Sequence, residues 1–313
     1  MGIFANPLTD LLEYEDFSRD FLKGTDPVGM TGCIDSEKVH FMSTFLGEKK
    51  VQLVVTYSEQ RAREIEEDYK LFCSQVYVIP PRDLIFFSAD LQGNVIIAER
   101  MKAFAALYQN EAKVIITTMD ALMSAAVPFE QLMSHVIKLK EGDELDLEKL
   151  KHDLTVMGYE RVGRVEEPGQ FTVHGGIADV YPLTMEVPVR IELWGDEIDT
   201  IRCFEPQSQR SMDQIECVSV FPAAEVIADD TARRRAAGMI QNELESQLAV
   251  FKKAKEPDKA KRLREETNRI LEALGEDVVL EAPDSYISYF YPRTVQLSEY
   301  FDEKNTLVFL DEP

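Results

Sequence analysis

Three short apolar runs, Val51-Gln-Leu-Val-Val-Thr56, Val76-Tyr-Val-Ile79 and Val114-Ile-Ile-Thr117, recur through the first third of the chain. Each is too short for a buried helix and rich in β-branched residues, so each predicts a strand covered on both faces. The segments between them have helical periodicity. Ser58 stands where it caps a helix over 59–72, and Ile96, Ile97, Met101, Phe104 and Leu107 mark one face of a helix over 95–108. Pro80-Pro81 stops the second strand, and a short helix is expected at 120–125. Strands alternating with helices predict a parallel sheet with helices packed on its faces.

Pro128 marks a change of pattern. Val136-Ile-Lys-Leu, an acidic stretch over 141–148 and a helix over 147–157 are followed by short strands at 170–173, 177–181, 189–194 and 198–204, with glycine-bearing turns between them. Strands at this spacing predict an antiparallel sheet carrying one or two helices. From Pro222 the pattern turns helical. Thr231 is expected to cap a helix with Ile240, Leu244, Leu248 and Phe251 on one face. Pro257 interrupts it, and a second helix carries Leu263, Ile270, Leu271 and Leu274 before Gly275 ends it. This predicts a helical hairpin with Lys and Glu on its solvated side. Tyr286, Tyr289, Phe290 and Tyr291 are expected to pack in a core. The last residues, Thr306-Leu-Val-Phe-Leu310-Asp-Glu-Pro313, place an apolar strand almost at the chain end, as expected of a piece of a longer polypeptide.

Composition narrows the function classes. Among 313 residues, 57 Asp+Glu outnumber 34 Lys+Arg, for a net charge of −23. A surface this acidic argues against nucleic acid as the partner of the whole molecule, though not against a local basic patch. No run reaches the roughly 18–20 apolar residues that a membrane helix needs. The first ten residues lack a basic segment followed by an apolar one, and Asn6 stands where a myristoylation signal needs Ser or Thr. Cys33, Cys73, Cys203 and Cys217 form no C-x-x-C pair, and His40, His135, His152 and His174 are dispersed. Reduced thiols in a cytoplasmic protein, no metal and no nucleophilic triad are the expectations.

One loop has the outline of a phosphate cradle. Gly29-Met-Thr-Gly32-Cys-Ile34-Asp35-Ser36 follows the spacing G-x-x-x-x-G-K-[ST], with Gly29 and Ser36 in place. Ile34 stands for the second glycine and Asp35 for the lysine, and a carboxylate there repels phosphate. The loop is either an ordinary turn or the relic of a nucleotide site. In both cases Gly29, Gly32, Asp35 and Ser36 are expected not to bind ATP.

The more specific signal is a series of motifs in fixed order. It runs Gly158-Tyr-Glu-Arg-Val162, then Glu167-Pro-Gly-Gln-Phe-Thr-Val-His-Gly-Gly-Ile-Ala-Asp-Val-Tyr-Pro182, then Val189-Arg-Ile-Glu-Leu-Trp-Gly-Asp-Glu-Ile-Asp-Thr-Ile-Arg202, then Ser208-Gln-Arg-Ser211. The series resembles the homology module shared by bacterial transcription-repair coupling factors (Mfd) and the excision-repair subunit UvrB. With weaker similarity on both sides it covers essentially the whole chain. The broken phosphate loop fits the coupling-factor branch, which lacks the functional loop that UvrB keeps.

The resemblance implies an α/β fold of degenerate P-loop, helicase-like half-domains with a parallel sheet, plus an inserted α+β domain with an antiparallel sheet. Its parts would be half-domain 1a at 1–132, a UvrA-binding-like domain 2 at 133–221, and the helical hairpin with half-domain 1b at 222–313. It implies a non-catalytic scaffold that recruits UvrA to stalled transcription complexes in nucleotide excision repair. The parent would be an ATP-dependent DNA translocase that displaces RNA polymerase. ATP and Mg would belong to motor domains absent here, leaving this chain without a cofactor. RNA polymerase and DNA would be reached through absent domains, a C-terminal regulatory domain of the parent would mask the UvrA-binding face, and the chain would be a monomer. Carried over residue by residue, the family's UvrA contacts fall on Arg190, on Trp194 and on His174, the last a departure from the family's arginine. A neutral histidine cannot make arginine's forked, permanently charged contact, so this contact is either lost or dependent on pH.

The residues themselves support a face of this kind. Period-two alternation sends Val189, Ile191 and Leu193 to one side of a strand and Arg190, Glu192 and Trp194 to the other. The only tryptophan therefore lies on the polar side beside an arginine, where it is either an interface anchor or the cap of a minor core. Arg202 and Arg210 either widen the face or pair with nearby carboxylates. Residues 133–221 hold nine Lys+Arg against eighteen Asp+Glu, a net charge of −9, so any cationic footprint is local. A UvrB-like DNA-damage-binding module and a divergent nucleotide-binding enzyme are the alternative classes.

Overall fold

The computed structural model describes residues 8, 10, 14–24, 27–82, 92–227, 229–275 and 286–312, with the backbone alone for 92–94. The amino-terminal residues 1–7 and Pro313 lie outside the described residues. In chain order the first elements are α1 (Tyr14–Lys23), α2 (Asp35–Ser43), β1 (Val51–Thr56), α3 (Glu59–Tyr69), β2 (Val76–Ile79), α4 (Gln92–Tyr108), β3 (Val114–Thr118) and α5 (Met119–Leu122). Then come β4 (Ala125–Ala126), α6 (Phe129–Met133), β5 (Ile137–Lys140), α7 (Leu147–Val156), β6 (Glu160–Arg161), β7 (Gln170–His174) and β8 (Ile177–Val180). They continue with β9 (Val189–Trp194), β10 (Glu197–Phe204), β11 (Ser211–Gln214), β12 (Cys217–Val220), α8 (Asp230–Ala254), α9 (Pro257–Gly275), α10 (Ile287–Phe290), β13 (Val295–Gln296) and β14 (Thr306–Leu310).

The chain divides into two compact units, one of residues 1–82, 103–124 and 297–313, the other of 83–102 and 125–296. The first holds the expected parallel sheet, in the order β14-β1-β3-β2. Its fourth strand, β14, comes from the far end of the chain and pairs with β1. Apolar side chains of α2, α3 and the sheet make one core: Val39, Met42, Ala62, Ile65 and Tyr69 with Val54, Val76, Val78, Val114 and Ile116. Ser58 caps α3 as expected, its hydroxyl accepting from the Arg61 N–H at 3.2 Å. Gln52 is the polar exception inside this core. Its amide donates to the Met42 carbonyl at 3.1 Å and accepts from the Tyr69 hydroxyl at 2.9 Å, so neither group is buried without a partner. The helix expected at 120–125 is shorter, ending at Leu122, because Ala125–Ala126 pair with Val295–Gln296 instead.

In the second unit, the six strands of the main sheet run β11-β10-β9-β8-β7-β6. All neighbours are antiparallel except β6 and β7. Phe171, Val173, Ala178, Val180, Val189, Ile191, Ile198 and Ile201 form the inner face and pack with Leu150, Leu154 and Met157 from α7 and its end. Gly158 allows the tight exit from α7. Its φ is +91°, and a Cβ there would lie 2.8 Å from the Cβ of Ala224. The next residue, Tyr159, turns inward and donates its hydroxyl to the Phe221 carbonyl at 2.7 Å.

The hairpin α8–α9 follows the expected pattern with two differences. Asp229, not Thr231, caps α8, its carboxylate accepting from the Ala232 N–H at 2.7 Å. Pro257 begins α9 rather than merely ending α8, since a first-turn residue needs no N–H donor. Phe290 and Tyr291 are buried as expected, with the Tyr291 hydroxyl bonded to both the N–H and the carbonyl of Ile227.

Candidate protein-interaction face

The outer face of the six-stranded sheet carries Thr172 and His174 from β7, Ile177 and Asp179 from β8, Arg190, Glu192 and Trp194 from β9, and Thr200, Arg202 and Phe204 from β10. Alternation assigns these residues to one side, and the registers align them. His174 lies opposite Ile177, Ile177 opposite Glu192, and Glu192 opposite Thr200. A parallel row runs Asp179, Arg190, Arg202, Gln214.

The two ends of this face differ. At one end Val162, Val165, Tyr181 and Phe204 form a small second core. The 205–210 loop closes over it: the Gln209 amide donates to the carbonyls of Pro206 at 2.7 Å and Val165 at 3.1 Å, and Arg164 bonds the Gln207 carbonyl. This is the Ser208–Ser211 loop of the motif series. At the other end no element among the described residues covers the sheet. Trp194 is 84% exposed and Ile177 40%, and His174 is exposed beside them. The neighbouring strand turns at Gly175-Gly176, where the Leu193 N–H meets the Gly176 carbonyl at 2.9 Å, so no side chain stands there to shield the indole. On its other side Trp194 pairs with Glu197 across the turn Gly195-Asp196, with Gly195 at φ +66°. Trp194 therefore does not cap the minor core.

Arg190 sits where the two ends meet. Its Nε and Nη2 donate to Oδ1 and Oδ2 of Asp179, each at 2.7 Å, and its guanidinium carbon lies 4.7 Å from the centroid of the Phe204 ring. Asp179 is 6% exposed. The hydrogen bonds that it donates to Asp179 hold the Arg190 guanidinium above its ordinary pKa, against the opposing effect of burial. Asp179 was not singled out from the sequence, although its place two residues after Ile177 puts it on the same face. Arg202 and Arg210 have not been drawn into structural pairs: among the described residues neither side chain makes a hydrogen bond or ion pair, and Arg202 Nε is buried without an acceptor.

The phosphate-like loop belongs to the other unit. Gly29 and Gly32 are exposed, and Asp35 and Ser36 open α2. Only half of a capping arrangement forms, the Ile34 N–H donating to Glu37 at 3.2 Å, since an isoleucine side chain has no acceptor. Close by, at the carboxyl ends of β1 and β14, Asp311 is enclosed by cations. Lys38 Nζ lies 3.0 Å from Oδ1, Arg61 Nε lies 3.1 Å from Oδ2, and the Thr56 hydroxyl donates at 3.1 Å. Lys38 also reaches Glu312 at 2.8 Å, and Arg61 lies 3.4 Å from Asp35. Here β14 and β3 flank β1 on opposite sides, the crevice where open α/β sheets bind ligands. In P-loop NTPases generally, an acidic residue after such a strand holds Mg²⁺. Asp35 at the helix start and two internal cations on Asp311 do not fit that ligand. Asp-Glu directly after an apolar strand was the signal that could have marked this cluster in the sequence.

Among the described residues no helix is long and apolar enough to cross a membrane, and no group of His, Cys, Asp or Glu is arranged to hold a metal. A family model described as the UvrB interaction domain matches residues 137–225, which include the whole face. The chain is 30% identical over 314 aligned residues to the transcription-repair-coupling factor of Bacillus subtilis (strain 168), covering 98% of this chain and 26% of the relative. It is 31% identical to that of Staphylococcus haemolyticus (strain JCSC1435), covering 94% and 25%. For Staphylococcus aureus (strain Mu50 / ATCC 700699) the identity is 28%, covering 100% and 26%. The chain thus spans about a quarter of the length of these relatives. It belongs to the transcription-repair-coupling factor family and carries a UvrB interaction domain over residues 137–225.

Proposed function

We propose that this chain is a non-catalytic docking module that recruits UvrA in transcription-coupled nucleotide excision repair, through the uncovered end of the sheet around Trp194. The observation that carries the reading is the 84% exposure of the only tryptophan on a face whose other end is sealed by its own loop. Exposed aromatics beside arginines are typical anchors of protein interfaces. Trp194 and Ile177 supply the apolar contact, His174 lies at its edge, and Arg190, Arg202 and Arg210 lie toward the covered end. The parent protein, in this reading, is an ATP-dependent DNA translocase that displaces stalled RNA polymerase, works in the cytoplasm, and masks this face with its C-terminal regulatory domain. The division into 1–132, 133–221 and 222–313 belongs to the same proposal.

The chain itself takes no nucleotide in this reading. Asp35 opposes phosphate at the helix start, and Lys38 and Arg61 hold the carboxylate that would otherwise receive Mg²⁺. Calorimetric titration with a cognate UvrA tests the docking function: saturable binding by the wild-type chain, weakened about 30-fold or more by Trp194→Ala, is the expected result. No binding by a folded wild-type chain overturns it. Equilibrium dialysis with Mg-ATP tests the second part, and saturable micromolar binding would refute it.

A further inference from the structure

We infer that Arg202, whose buried Nε has no acceptor among the described residues, receives a carboxylate from the docking protein; the inference deepens the docking reading and rests on it. Arg190 and Arg202 occupy directly opposed positions on β9 and β10, an arrangement that repels unless each charge is compensated. Arg190 is compensated on its far side by Asp179 on β8. Arg202 is not. Its other cross-strand neighbour is Gln214, a neutral side chain whose amide already donates to Glu141 at 2.7 Å. Glu192, opposite Thr200 and next along the face, accepts from the Thr200 hydroxyl at 3.2 Å.

Arg202 is therefore a half-buried guanidinium with no acceptor among the described residues, and its Nε is shut off from water. A buried donor without an acceptor is a standing cost to the free protein, and arginine cannot relieve it by losing its proton. A partner group that draws the guanidinium into a bonded position removes that cost as it binds. The group that matches a guanidinium with two parallel acceptors is a carboxylate. A phosphate offers the same geometry, but a polyanionic duplex brought against a domain of net charge −9 meets far more repulsion than one acidic side chain. Trp194 lies four residues along β9 from the residue opposite Arg202, about 13 Å at the rise of a strand. The partner thus presents an acidic residue roughly that far from the pocket that takes the indole.

The test is binding of UvrA to the full chain, at low and high salt, for wild type, Arg202→Ala, Arg202→Lys, Arg202→Glu and Trp194→Ala. Expected are losses of about tenfold or more for Arg202→Ala, a larger loss for Arg202→Glu, partial retention for Arg202→Lys, and a shallower salt dependence for Arg202→Ala. The thermal midpoint of Arg202→Ala should stay at or above that of wild type, because the change removes an unsatisfied donor. Wild-type affinity in Arg202→Ala and Arg202→Glu, together with a loss in Trp194→Ala, overturns the inference and leaves the docking reading standing. So does a fall in thermal midpoint, which would reveal an internal partner for the guanidinium. A change confined to duplex DNA binding assigns Arg202 to phosphate and equally overturns it. Failure of the wild-type chain to bind removes the docking reading and this inference together.

Discussion

Arg190 and Asp179 face each other across adjacent antiparallel strands and are joined by two parallel hydrogen bonds of 2.7 Å. The pair makes Arg190 a structural residue as well as a neighbour of the proposed docking face. Truncating one member of a buried ion pair leaves the other charge stranded, typically at about 3–5 kcal/mol. Arg190→Ala should therefore lower the stability of the second unit by roughly that amount. Arg190→Lys, which keeps the charge but not the fork, should cost less. Urea unfolding measures both, and a wild-type midpoint for Arg190→Ala would show that the pair contributes nothing. Any affinity lost in Arg190→Ala has to be read beside that stability change, which makes Trp194 the cleaner probe of docking.

Trp194 is exposed and packs against no core, so Trp194→Ala should shift stability by no more than about 0.5 kcal/mol. Its fluorescence in the free chain should resemble that of a solvated indole and be quenched efficiently by iodide. Addition of UvrA should move the emission to shorter wavelength and protect it from the quencher. Blue-shifted, protected emission in the free chain would contradict the position of the side chain.

Asp311 predicts a specific acid sensitivity of the first unit. Burial pushes its carboxyl pKa up, but the hydrogen bonds from Lys38 and Arg61 and their charges outweigh it and hold the value below the ordinary aspartate range. A depressed folded-state value contributes stability that is complete above the unfolded-state pKa of about 4 and is lost as the pH falls through the folded value. Asp311→Asn should lose about 3 kcal/mol near neutrality and show a correspondingly shallower decline in acid. Urea midpoints for both proteins from about pH 7 to about pH 3 decide it. Parallel declines would mean that the cluster does not carry the effect.

Gly158 is predicted to tolerate no side chain. Alanine there meets both a left-handed backbone and Ala224, and the two together should cost about 2–4 kcal/mol. Gly163, which has open space around its Cβ position and no positive φ, is the control and should accept alanine with little change. Comparable losses at both positions would refute the packing explanation.

Much of the fold was legible because its signals are local. Val51–Thr56 and Val114–Thr118 are apolar, β-branched and bounded by caps, so their state follows from a few neighbouring residues. Ser58 behaved as its position required. Thr231 did not, because Asp229 two residues earlier takes the extended conformation and supplies the carboxylate acceptor, and a threonine inside the first turn then has no N-cap role. The two-residue β4 was not legible at all, since its partner Val295–Gln296 lies far along the chain.

The candidate face divides in the same way. Sequence alone determined that Arg190, Glu192 and Trp194 share one side of a strand, because successive side chains on a strand alternate, and it marked the broken phosphate loop by the charge of Asp35. Tertiary structure decided what each of those residues is free to do. Asp179 reaches Arg190 only through the register of β8 on β9, the 205–210 loop folds back over Phe204, and Gly175-Gly176 leaves the place beside Trp194 bare. Lys38, Arg61 and Asp311 are brought together when β14 joins β1 across some 250 residues of chain. Alternation is a property of the backbone and can be read from neighbouring residues. Partnering and cover depend on which distant strands and loops the fold brings alongside, and that is settled only when the sheets assemble.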